Sequence, residues 1–143
     1  SSVFSIGSDS GISGSGDYVA YLWAEKQGFS KFGTYVGNGS TDGTFVYTGF
    51  KPAMVIMKNQ AGSEDWHLYD NKRANSFNVA DKTLDPNNTN AEYTISSGVD
   101  FLSNGFKWRA TASALNGSGA DYVYGAWAEA PFVNSNGVPC NAR

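Results

Sequence analysis

Apolar positions along this chain alternate with polar ones or gather in short runs, and helical spacing is nearly absent. Between turn signals the segments are rich in Tyr, Phe, Trp, Val and Thr, side chains that suit a pleated, half-buried surface. The pattern predicts strands over residues 3–6, 17–25, 32–36, 44–49, 53–59, 65–70, 91–95, 99–102, 105–109 and 121–129. In "PAMVIMKN" (52–59), Met54, Val55, Ile56 and Met57 follow one another, as in a central strand covered on both faces. "YVAYLWA" (18–24) and "YVYGAWA" (122–128) read the same way, with Ala and Gly among large aromatics where bulk on one strand meets a gap on its neighbour. Two sheets packed face to face would cover such strands. The expected fold is therefore an all-β antiparallel β-sandwich.

The connections are polar. "GNGSTDG" (37–43), "NQAGSED" (59–65) and "NGSGAD" (116–121) are turn sequences. The long stretch "DNKRANSFNVADKTLDPNNTN" (70–90) reads as a loop with room for one short helical turn, and "VNSNGVPCNAR" (133–143) as an irregular tail.

One phrase occurs twice. "DYVAYLWAEKQGF" starts at Asp17 and "DYVYGAWAEAPF" at Asp121. The match extends upstream: Phe4 corresponds to Phe106, Ile6 to Trp108 and "SGSG" (13–16) to "NGSG" (116–119), with about two extra residues in the later copy. Each copy reads as a strand, a Gly-rich turn and a long aromatic strand, the outline of a β-hairpin. A hairpin alone is marginal in water. Either the upstream copy closes a preceding unit, or both copies sit in one sandwich.

Composition narrows the classes. At 143 residues the chain suits one domain, 15% of it aromatic and only 16% charged. A net charge of −3 leaves no basic footprint for nucleic acid. No apolar run approaches the roughly 18 residues of a membrane span. The opening "SSVFSIGSDSGISGSG" lacks the regions of a signal peptide and an initiator Met, and reads as part of something longer. Cys140 is the one cysteine, so no internal disulfide forms and stability rests on packing.

The phrases "YVAYLWAEKQGFSKFGTYVGNGSTDGTFVYTGFKPAMVIMKN", "WHLYDNKR", "FLSNGFKWR", "YVYGAWAEAPF" and "VPCNAR" together resemble a module of marine-bacteriophage structural proteins, over essentially the whole chain. That resemblance implies a virion-associated β module of jelly-roll or concanavalin/laminin-G-like form, repeated in tandem near the end of tail-fibre or surface polypeptides, with no assigned catalytic residues. It also implies domain limits. Residues 1–28 would be the closing hairpin of a preceding repeat or a pairing segment, 29–132 the sandwich, and 133–143 the tail.

Catalytic chemistry finds little support. His67 is the only histidine; if Trp66 and Leu68 face inward, His67 and Tyr69 face out, and a Cys140–His67 pair would need the tail to fold back. Glu25, Glu129, Asp65, Asp70 and Asp100 lie at strand ends, where carboxylates commonly serve turns rather than the paired acid and base of a glycosidase. No catalytic set is expected. "GSDSG" (7–11), "TDG" (41–43) and "DPNNTN" (85–90) carry oxygens that Ca²⁺ could accept, without the spacing of a dedicated loop; no cofactor is expected. The one candidate ligand surface is His67, Tyr69, Asn71, Lys72 and Arg73, where an aromatic face and polar donors could meet a host surface glycan.

Two functions follow. The first is a non-enzymatic module of a tail or surface fibre, on the virion surface, for host attachment or assembly with other virion proteins and through homo-oligomers. The second is a free carbohydrate-active domain, lectin-like or a glycan hydrolase.

Overall fold

The structure is a computed structural model and describes residues 3–73 and 78–130. The expected tail 133–143, with Cys140, lies outside the described residues. After a one-turn helix α1 (Ser10–Ser13) come β1 (Ser30–Val36), β2 (Phe45–Tyr47), β3 (Pro52–Asn59), β4 (His67–Asp70), β5 (Ala80–Thr83), β6 (Tyr93–Leu102), β7 (Gly105–Trp108), a second one-turn helix α2 (Ser113–Asn116) and β8 (Asp121–Ala128). They form two four-stranded sheets, β1-β8-β3-β4 and β2-β7-β6-β5. Every pairing is antiparallel. The all-β antiparallel sandwich is the fold.

Of the three strands read as central and covered on both faces, those over 52–59 and 122–128 are central but only half-covered on their outer face, and the one over 18–24 is not a strand. β8 lies between β1 and β3, with Tyr35 opposite Tyr122 and Ile56 opposite Gly125. β3 lies between β8 and β4. Alternation explains which side chains enter the core: Val55 and Met57 of β3, and Tyr122, Tyr124 and Ala126 of β8, are buried. From the opposite sheet, Val99 and Phe101 face Trp108 and Phe106 across the β6–β7 ladder and are buried with them. Tyr35 stacks on Tyr122 at 4.7 Å between centroids, and Trp108 meets Tyr69 edge to face at 5.7 Å. Such pairs contribute about 0.5–1.5 kcal/mol each beyond burial.

Polar side chains lock the arch between the sheets. Asn116 is fully buried. Its Nδ2 donates to Asn38 Oδ1 and to the carbonyls of Ser40 and Ala110, while its Oδ1 accepts from Asn38 N. Tyr122 Oη donates to the Ser113 carbonyl at 2.5 Å and accepts from Gly117 N at 2.7 Å. Buried polar groups so satisfied fix one arrangement of the α2 turn.

Three expectations are corrected. First, residues 3–6 and 17–25 are not strands; they have no neighbouring strand to take their backbone hydrogen bonds. Second, the later copy of the repeat is not a hairpin. β7 belongs to one sheet and β8 to the other, so β7–α2–β8 is an arch across the sandwich. Third, the polar stretch 70–90 holds a strand, β5, paired with β6. Its four residues ADKT carry no period that a sequence reading could catch.

Candidate functional site

The residues singled out for ligand contact do not form a surface. β4 runs with His67 and Tyr69 facing the core and Leu68 half-buried on the outside, the reverse of the expected facing. Tyr69 is fully buried against Trp108, and burial pushes its hydroxyl far above the usual range. Asn71 is tied into the fold by its backbone N–H to Ala53 O and by Nδ2 to Glu129 Oε1 at 2.7 Å. Arg73 binds Asp70, Glu92 and the Leu68 carbonyl. Of the five, Lys72 alone is exposed. Burial by itself would raise the Asp70 carboxyl, but hydrogen bonds from Arg73 and the Lys72 and Arg73 backbone hold it below its ordinary value. This strand end is a structural knot.

His67 belongs to a buried cluster instead. Its Nδ1 lies 3.0 Å from Asp85 Oδ1, and the Tyr93 hydroxyl donates to the same oxygen at 3.0 Å. Tyr93 is pushed up to about 12 by burial and by the adjacent Asp85. Histidine and carboxylate are each 5% exposed. His67 Nε2 is buried and has no hydrogen-bond partner among the described residues. A general base must reach its substrate, and this imidazole faces the interior. Glu25 and Glu129 pair with Lys31 and Lys51, and Asp100 with Arg109. Among the described residues, no group of His, Cys, Asp and Glu could hold a metal ion, and no helix is long and apolar enough to cross a membrane.

The unusual surface lies on the outer face of the β1-β8-β3-β4 sheet. Phe32, Met54, Ile56, Leu68, Val123 and Trp127 are half-buried there, and with Trp66, Pro86 and Asn87 they line a groove of about 680 Å³. Soluble proteins rarely leave such a contiguous apolar patch without a role. Asn87 on its rim is engaged: Oδ1 accepts from Trp66 N and Nδ2 donates to Asp65; Tyr21, Trp23, Trp66 and Trp127 line the groove with aromatic rings.

Over one edge of this face passes the N-terminal segment. Trp23 stacks on Phe32 at 6.5 Å and meets Trp127 edge to face at 5.9 Å; Tyr21 stacks on Trp23 at 6.3 Å. Gly28, at φ 70°, closes a turn. Lys26 and Ser30 exchange backbone hydrogen bonds across it. Glu25 pairs with Lys31 at 2.6 Å, and Ser30 Oγ donates to Ala24 O. Upstream of this anchor the segment is open. Tyr21 is 76% exposed, Leu22 72% and Trp23 still 62%. Burying a side chain of this kind is worth about 1.5–3 kcal/mol. The repeated phrase signalled the segment in the sequence, though the residues alone left open whether it sits inside this sandwich or closes another unit.

The chain belongs to the family described as a domain of unknown function, DUF7483, which it matches over residues 1–131. Comparisons with the curated proteins and with the solved structures each found no match.

Proposed function

We propose that this protein is a non-enzymatic structural module of a virion tail or surface fibre, and that residues 3–25 are its assembly contact. The supporting observation is the segment itself: a second copy of a core arch, anchored at residues 23–31 and otherwise carrying its apolar side chains in the open. A free segment of that composition invites pairing with another chain. The family match, running from residue 1 to residue 131, supports a segment carried together with the sandwich. The phage assignment rests on the sequence resemblance alone. Attachment to a host glycan has less support than assembly, because of the five residues expected to meet a glycan Lys72 alone is exposed.

Light scattering coupled to size exclusion tests the reading. The full chain should associate as concentration rises, and a variant lacking residues 1–26 should be monomeric with an unchanged β-sheet circular dichroism spectrum. A full chain that stays monomeric, or a truncated chain that unfolds, would overturn it.

A further inference from the structure

The segment repeats the turn of β7–α2–β8 in structure, as it repeats the arch in sequence. α1 stands at Ser10–Ser13 as α2 stands at Ser113–Asn116. Tyr18 Oη donates to the Ser10 carbonyl at 3.1 Å and accepts from Gly14 N at 2.9 Å. Tyr122 makes the same two bonds to Ser113 and Gly117. The surroundings differ. Phe4, Ile6, Ile12, Tyr18 and Leu22 are 50–72% exposed, whereas their counterparts Phe106, Trp108, Leu115, Tyr122 and Ala126 are all at 0%. The segment presents core residues that have no core.

We propose that residues 3–25 are the closing arch of a second sandwich of this architecture, whose six-strand body is related to β1–β6 of this chain but not interchangeable with it. Asp17, Tyr18, Val19, Trp23, Ala24 and Glu25 are identical to their counterparts in 121–129, but the three residues between them invert the size pattern. Tyr124 becomes Ala20, Gly125 becomes Tyr21 and Ala126 becomes Leu22. The Tyr124 ring lies over Gly33 and meets Phe106 at 5.3 Å, so alanine there would leave a hole. A Cβ on Gly125 would stand 3.0 Å from both the Phe32 and Trp127 rings, so tyrosine would push them off the sheet. Ala126 is fully buried, and leucine would overpack its site. The first copy is thereby kept out of this sandwich and out of any identical one. The body that it closes has bulk facing Ala20 and space facing Tyr21 and Leu22. The short turn at residues 26–29 and the Trp23–Phe32–Trp127 cluster would hold that second sandwich against the outer face of this one.

This inference takes from the assembly reading only that the segment is a contact. Its test places residues 29–104 ahead of the full chain, giving the segment a body identical to the chain's own. One version carries the native segment, the other Ala20→Tyr, Tyr21→Gly and Leu22→Ala. Hydrogen exchange of the backbone amides in residues 17–25 is compared with that in the unextended chain. In the substituted version exchange should slow by at least about a hundredfold; in the native version it should stay fast. Fast exchange in both versions would show that the segment closes no such body. Equal slowing in both would show that the size pattern selects nothing. Association of the unextended chain is measured separately: a monomer there, with slowed exchange in the substituted version, would sink the assembly reading and leave this one.

Discussion

Replacing Tyr122 by Phe removes one hydroxyl from the arch and keeps the ring on Tyr35. The cost can be worked from the partners. Ser113 O retains a second donor, Asn59 Nδ2 at 2.9 Å, so losing the tyrosine donor there costs about 1 kcal/mol net. Gly117 N–H, 2.7 Å from the hydroxyl, is left in a partly buried turn without an acceptor, for about 1–2 kcal/mol more. The sum is about 2–3 kcal/mol. At 4–8 °C per kcal/mol for a domain near this size, Tm should fall by roughly 10–20 °C. Tyr18 provides the control within the same molecule. It makes the same two bonds but is 51% exposed, so water replaces the hydroxyl and Tyr18→Phe should cost less than ~0.5 kcal/mol. Near-ultraviolet circular dichroism melts of both variants measure the contrast. Equal shifts, or a Tyr122→Phe shift of less than about 3 °C, would refute the argument that burial, not the local motif, gives the arch its stability.

Two further outcomes are expected. Gly98→Ala would place a Cβ 1.9 Å from the Ala80 carbonyl oxygen where β6 passes β5, and should lower stability by about 3 kcal/mol or more; Gly62→Ala, whose nearest neighbour is 4.0 Å away, should leave the urea midpoint unchanged. Asp70→Asn removes a carboxylate whose folded pKa is held below the ordinary 3.8, so the wild-type advantage, about 1 kcal/mol, should be full above that value and vanish as pH falls through the lower folded one. Urea titrations across pH 2–7 check the sign, and a difference that grows on acidification would contradict it.

The sandwich, two of its central strands and the duplicated phrase were all legible along the chain. Alternation along 121–128 and the apolar run at 52–59 are local patterns, and burial on one or both faces of a strand writes itself into them directly. Which face of β4 turns inward was not local. "DWHLYD" alternates equally well in either register, and the choice fell to Asp85, distant in sequence, which pairs with His67 Nδ1 and is itself held by Tyr93, and to Trp108, which packs on Tyr69. β5 was invisible for the same reason, because its strand character comes from pairing with β6 and not from its own residues. The duplicated phrase shows the division most clearly. Two related stretches build the same one-turn helix and the same tyrosine hydrogen bonds, since those depend only on neighbours in the chain. One becomes the centre of a sheet and the other remains extended, because a strand requires hydrogen-bonding neighbours on its edges and side chains sized for the strands beside it. Those are supplied by tertiary structure, and for residues 17–25 this sandwich has already given the place to residues 121–128.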